Sequence, residues 1–306
     1  MTHVPVFTHA ACLAHDTGPG HAECAERLAA VTAGLREAFP DLEWCEAPRA
    51  TRGQLLRVHT EPLLHAVLET RPGQRMWLDP DTVLSPGSAE AALRAAGAVV
   101  AAVDMVLNGE VKRAFCAVRP PGHHATSCAP MGFCLFNSIA VGAAHALERF
   151  GLSRVAIADF DVHHGNGTQA IFDAEPRVVF ASSHQMPLYP DSGHVADRGV
   201  GNVFNAPLPP GAGGEAFRAA WRDRLLPQLD AFRPQLVMIS AGFDAHRRDP
   251  LAQLQLEADD FAWITRELVA IADRHADGRV VSSLEGGYDL QALREASAAH
   301  VGALRS

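Results

Sequence analysis

Short apolar, β-rich runs alternate with longer stretches of helical periodicity along this 306-residue chain, and that alternation limits its fold more than any other feature. The runs are Ala114–Val118, Val155–Ile157, Val178–Ser182, Leu236–Ser240 and Val280–Leu284. The helical stretches are Ala25–Ala38, Gln54–Glu69, Ser88–Leu107, Asn137–Arg149, Glu215–Phe232, Ala258–His275 and Leu290–Leu304. Strands buried on both faces read as continuous apolar runs, and parallel neighbours need a crossover that a helix supplies. The pattern predicts a three-layer α/β/α fold with a central, mainly parallel sheet. No Pro/Gly/Ser-rich linker splits the chain, so a single domain over residues 1–306 is expected.

With 48% hydrophobic and 20% charged residues there is ample core material, which excludes a disordered or collagen-like chain. The 26 basic against 35 acidic side chains, net −9, argue against a nucleic-acid binder and mildly suit a cationic substrate. The first residues show no basic segment followed by an apolar one, and the longest apolar stretch, Ala95 to Leu107, is broken by Asp104. Neither a secretory signal nor a membrane span is expected, and the cytoplasm is the default location. The six cysteines form no C-x-x-C pair and read as reduced residues. The 16 histidines are the unusual count, histidine being both a common metal ligand and the acid/base of neutral pH.

Ligands of such sheets bind beyond the carboxyl ends of the strands. Those ends are polar here: Arg119-Pro-Pro-Gly-His-His124, Asp159-Phe-Asp-Val-His-His-Gly-Asn-Gly167, Ser182-Ser-His184, Ala241-Gly-Phe-Asp244 and Glu285-Gly-Gly-Tyr288. Asp159, Asp161 and His163 are spaced by two, which turns them to one side of an extended segment. Asp161 and His163 can then share one cation, with Asp244 the natural third ligand from another strand. One histidine and two carboxylates suit catalytic zinc, and also iron(II). The prolines before His123 and His124 stiffen their loop, while Gly122 permits close chain approach. Any one of these strand ends alone reads more simply as a cap or solvated loop; five together do not.

These motifs, with Gly18-Pro-Gly-His21 and Met131-Gly-Phe-Cys-Leu-Phe-Asn137, resemble the zinc-dependent histone deacetylase and acetylpolyamine amidohydrolase family, especially its class II and bacterial members. The resemblance implies the arginase–deacetylase fold with its active site at the C-terminal strand ends. It makes Asp161, His163 and Asp244 the ligands of one Zn²⁺, His123 and His124 the catalytic pair, and Tyr288 the hydroxyl that grips the substrate carbonyl. Asp159 is then the carboxylate behind His123 and Asn166 the partner behind His124. It further implies a structural K⁺ bound through the backbone around Asp159, Asp161 and His163 together with Ser182. Phe133, Tyr189 and Gly286 become walls of a narrow substrate tunnel. Leu251 stands where polyamine-specific relatives place an acidic gatekeeper.

The expected reaction is hydrolysis of acetyl or acyl groups from acetyl-lysine-like amines by metal-activated water, with His124 as general base and His123 nearer imidazolium. An acetylpolyamine amidohydrolase and, from a different class, a non-catalytic acetyl-lysine-binding module are the alternatives; a homo-oligomer is compatible with either. A dinuclear ureohydrolase of the same fold is disfavoured, because His246 stands where an extra carboxylate is needed. The segment His21 to Leu28 lacks the prolines expected there, although Arg27 is kept, and the tunnel loop Tyr189-Pro-Asp-Ser-Gly193 has Asp191-Ser192 in place of Gly-Thr. Outside the motifs, His65, His145 and His275 read as packed or solvated, and His164 as pointing away from its neighbour's ligand position. His184 is a weaker candidate for the cleft, and Phe217, Trp221, Leu225 and Leu226 form a core stripe.

Overall fold

A computed structural model describes residues 2–306. The strands are β1 (Val6–Thr8), β2 (Trp44–Glu46), β3 (Met76–Trp77), β4 (Val83–Leu84), β5 (Arg113–Cys116), β6 (Val155–Asp159), β7 (Val178–Gln185), β8 (Val203–Leu208), β9 (Leu236–Ala241) and β10 (Val280–Leu284). Among the described residues eight of them form one sheet, ordered β2-β1-β5-β10-β9-β6-β7-β8, and each of its pairings is parallel. β3 and β4 make a separate antiparallel hairpin.

The helices are α1 (Ala25–Ala38), α2 (Arg52–Leu55), α3 (Glu61–Leu64), α4 (Ser88–Leu107), α5 (Ser138–Phe150), α6 (Asn166–Phe172), α7 (Gly214–Ala220), α8 (Leu226–Phe232), α9 (Ala258–His275) and α10 (Leu290–Leu304). α4 and α5 pack on each other and on one face of the sheet; α1, α10, α9 and α8 pack in sequence over the other. This is the three-layer α/β/α arrangement with a parallel central sheet. The five predicted strands are its β5, β6, β7, β9 and β10, and their apolar residues are buried throughout. Among the described residues, no helix is long and apolar enough to cross a membrane.

Two expected helices come out differently. Gln54–Glu69 is broken: Thr51 caps α2 in a capping box, and Thr60 is the extended N-cap of α3, which carries Pro62 in its first turn and runs into a π-helical turn at His65–Glu69. Glu215–Phe232 is helical throughout but widens to a π-helical turn at Trp221–Leu225, just ahead of Pro227, whose missing N–H weakens the regular ladder there. Its predicted core stripe is buried, Phe217 and Trp221 completely so.

The strand order sets the position of the site. The chain lays down β5 and then β6, continues outward to β8, and returns to insert β9 and β10 between them. The four central strands therefore contribute neighbouring C-terminal loops to one crevice, where the direction of winding reverses.

Candidate active site

β6 ends at Asp159, so Asp161 and His163 stand in a loop rather than on a strand, and their side chains converge by other means. Asp161 Oδ1 accepts the His163 amide at 2.9 Å, and its Oδ2 accepts the Gly286 amide at 2.8 Å. Asp244 Oδ1 accepts the Val162 amide at 2.8 Å. Each carboxylate is thus fixed by the backbone of another loop. His163 Nδ1 lies 3.2 Å from Asp161 Oδ1 and 3.1 Å from Asp244 Oδ2. One donor atom from each of the three lies within 4.8 Å of the others, and among the described residues this is the one group of three or more so arranged.

The site is strongly negative. Burial and the charge of Asp161 push the Asp244 carboxyl up to about 6. Burial by itself would lower His163, but bonding to Asp161 and Asp244 outweighs it and raises the imidazole to about 10. Two buried carboxylates and one imidazole, calling for more positive charge than the chain supplies, are a donor set that fits a divalent cation. His246 does not join them. Its Nδ1 accepts the Arg248 amide at 3.2 Å, and its Nε2 lies 3.6 Å from Glu257.

The paired histidines stand beside this group with ring centroids 4.1 Å apart. Their loop runs against α5, and a Cβ on Gly122 would meet Ser138 N at 2.7 Å, so the close approach needs glycine. His123 Nδ1 donates to Asp159 Oδ2 at 2.9 Å. Burial opposes its charge, but Asp159 and Asp161 overcome that and push its pKa up to about 10. His124 Nδ1 donates to Asn166 Oδ1 at 2.7 Å, while Asn166 Nδ2 turns to Met131 Sδ. That tautomer leaves His124 Nε2 unprotonated. Burial, then the charges of His123 and His163, hold this imidazole well below its ordinary range. Two adjacent histidines are set to opposite protonation states.

Tyr288 completes the cluster. Burial raises its phenol well above the usual 10, so it stays a hydrogen-bond donor. The Arg27 guanidinium lies 4.9 Å from its ring centre and donates to Gly287 O and Glu285 O, both at 2.5 Å. His124, His163 and Tyr288 line a cavity of about 240 Å³ together with Phe133, Leu188, Tyr189, Leu251, Gly132 and Asp81. Phe133 and Tyr189 are among its lining residues. Gly286 is not: it lies behind the carboxylates, where a Cβ would collide with Asp244 and Asp161. Ser182 Oγ lies 3.0 Å from His184 Nδ1, and His184 Nε2 donates to Gly193 O at 2.9 Å, so His184 braces the tunnel loop from behind. His164 points away from the cavity, bonded to Ser192 at 2.8 Å and Gln169 at 2.9 Å.

A sequence model of the histone deacetylase domain matches residues 21–304. The chain belongs to the histone deacetylase family. A probable deacetylase of Archaeoglobus fulgidus is 40% identical over 294 residues, covering 94% of this chain and 81% of its own. A histone deacetylase-like amidohydrolase of Pseudomonas aeruginosa is 43% identical over 252 residues, covering 81% and 66%. The crystal structure of an HDA15 HD domain matches with a TM-score of 0.94 at 34% identity, over 99% of this chain and 88% of that one. The arginase–deacetylase fold and deacetylase kinship expected from the motifs both stand.

Residues that the motif reading missed hold this deacetylase site together. Glu285 Oε2 accepts the Gly122 and His123 amides at 2.6 and 3.1 Å, and its Oε1 accepts Ser240 Oγ at 3.2 Å. Glu23 pairs with both Arg119 and Arg27, all three fully buried. Asp81 and Thr82 accept the Gly132 and Phe133 amides, both at 3.1 Å, and so orient the tunnel wall. In the sequence Glu285 is only the head of the Glu-Gly-Gly-Tyr motif. A buried acid beside two glycines at a strand end was the available signal.

Proposed function

We propose that this deacetylase family member is a zinc-dependent amidohydrolase that removes acetyl or related acyl groups from acetyl-lysine-like amines, residues 1–306 acting as one catalytic unit. The observation that carries the reading is one convergence at the end of an apolar slot: a cation-seeking carboxylate–imidazole set, an unprotonated His124 nitrogen and the Tyr288 phenol. Asp161, His163 and Asp244 would hold the metal. Zinc bound there supplies Lewis acidity, lowering the pKa of water and polarising the acyl carbonyl.

The chain's own groups account for the remaining chemistry. Phe133 and Tyr189 flank the slot and sheathe an alkyl stem, excluding water around the amide. His124 Nε2 takes the proton of the attacking water and delivers it to the leaving amine nitrogen as the C–N bond breaks. His123, kept an imidazolium by Asp159, and the Tyr288 hydroxyl meet the negative charge that develops on the acyl oxygen. A structural potassium near the backbone of Asp159, Asp161 and His163 belongs to the same reading; its support is that Ser182 is the register partner of Asp159 across β6 and β7.

The test is a turnover panel of acetyl-lysine peptides, longer acyl-lysine peptides and acetylpolyamines, with metal content measured in parallel. Acetate release that stops on chelation and returns with zinc, at one zinc per chain, is the expected result. Acylated peptide bound without turnover would make the protein a binding module. Two tightly held metals per chain would point to dinuclear chemistry. Preference for acetylpolyamines would move the substrate class despite Leu251.

A further inference from the structure

Asp249 has no part in the chemistry just described, yet it is 7% exposed and its carboxylate is fully engaged. Oδ2 accepts the backbone amide of Tyr288 at 2.8 Å, and Oδ1 accepts the backbone amide of Leu251 at 3.0 Å. Neither amide has another acceptor among the described residues. The carboxylate is itself anchored, because the Asp249 amide donates to His246 O at 2.8 Å within the turn that follows Asp244.

The two residues it holds both line the slot. Tyr288 supplies the phenol next to the carboxylate–imidazole set; Leu251, 36% exposed, supplies apolar wall near solvent. Other restraints flank Tyr288: Arg27 grips the carbonyls of Glu285 and Gly287, and Asp289 caps α10 just after it. Gly287 has φ +118, a conformation that glycine adopts without strain, and it turns the chain just before Tyr288. The peptide that joins Gly287 to Tyr288 is held at both ends, its carbonyl by Arg27 and its N–H by Asp249 Oδ2. An asparagine there presents an N–H where the second oxygen stood, and that N–H repels the amide it faces, so the side chain no longer holds the two amides together.

We infer that Asp249 is a positioning residue, its single carboxylate setting the Tyr288 phenol and the Leu251 wall as one unit. The inference deepens the amidohydrolase reading and rests on it. Because Asp249 acts through two different residues, its removal has two separable effects: a loss of kcat through Tyr288 and a rise in KM through Leu251.

The experiment compares zinc-loaded wild type, Asp249→Asn, Tyr288→Phe, Leu251→Ala and the two double variants on an Nε-acetyl-lysine peptide, with circular dichroism and metal content as controls. Displacing a reacting group by about an ångström costs up to about 10²-fold, so Asp249→Asn is expected to lower kcat about 10- to 100-fold and to raise KM. In the Tyr288→Phe background the further loss of kcat shrinks to within about 3-fold, and in the Leu251→Ala background the rise in KM disappears. A merely structural Asp249 lowers activity by the same factor in every background, and that result overturns the inference. If wild type turns over neither this peptide nor any other substrate of the panel above, the amidohydrolase reading has failed rather than this one. Amide hydrogen exchange then decides, as it does if Asp249→Asn fails to fold. In the wild-type protein the Tyr288 and Leu251 amides should be protected and open together; independent exchange of the two overturns the inference.

Discussion

His300 offers a quantitative test of the fold that carries this site. It lies fully buried on α10 between Thr265 Oγ1 at 2.6 Å and Ser282 Oγ at 2.8 Å, with the rings of Phe115, Phe160 and Phe243 5.5–5.8 Å away. Two hydroxyls satisfy a neutral imidazole, but no carboxylate is present to support a charged one. Burial alone lowers its pKa from 6.5 to about 3. Because the folded value lies below the unfolded one, the proton binds only after unfolding, and acid favours the unfolded chain. The contribution is intact above about 6.5, falls as pH drops through that value, and levels off below about 3. At pH 5, one and a half units below the unfolded pKa, the loss is about 2 kcal/mol at ~1.36 kcal/mol per unit. That is a large part of a typical net stability of about 5–15 kcal/mol. Urea unfolding of wild type and His300→Gln at pH 7 and pH 5 isolates this group, since every other titration is common to both proteins. The variant should lose about 2 kcal/mol less between the two conditions. An equal loss in both would refute the claim that a buried neutral histidine couples this core to pH.

Three further outcomes test the site. Tyr288→Phe should keep its metal and fold but lose about 10²–10³-fold in kcat, as removal of one oxyanion donor does; near-wild-type turnover in a deacetylase assay would remove Tyr288 from the chemistry. Asp159→Asn should leave metal content unchanged and lower kcat by about 10²-fold or more, because His123 loses the charge that keeps it an imidazolium. Gly286→Ala should weaken zinc binding by about 10- to 100-fold, read by competition with a chelating dye, because its methyl displaces the Asp161 and Asp244 carboxylates from behind.

The parts of the fold that the sequence exposed were those with strong internal periodicity. β5, β6, β7, β9 and β10 are apolar on both faces and stand between helices, so each carries its own signal. β1 and β2 have three residues each, and β8 includes Asn205 and Pro207, a composition that an edge strand tolerates because one side has no ladder to keep. The hairpin of β3 and β4 has two residues per strand and exists to deliver Asp81 and Thr82 to the tunnel wall. The candidate site was legible because its reacting side chains fall directly after those strong strands. Its supports were not, because nothing in the sequence says which distant backbone amide a carboxylate will hold. Glu285 reaches Gly122 across 163 positions of sequence, and Asp249 reaches Tyr288 across 39.

The histidines show the same limit from another side. Their number suggested metal or acid–base chemistry, yet what decides each role is the partner brought to it by the fold. His123 and His163 face carboxylates, and both rise to about 10 despite burial. His59, His164 and His184 face backbone carbonyls, an amide or a hydroxyl, and burial takes them down to about 4, 3 and 4. His15 goes to about 4 even with Glu23 at 3.5 Å, since burial outweighs that carboxylate and the nearby Arg119 adds a repulsive charge. His124 belongs electrostatically with the lowered group although it stands in the site, and this is what suits it to take a proton. A neutral Asn166 stands behind it where His123 has the Asp159 carboxylate, and this difference in partner adds to the charges that separate the lowered imidazole from the raised one. Asn166→Asp should therefore raise the His124 imidazole, a shift that an NMR titration of its ring protons reads, and an unmoved titration would refute the assignment.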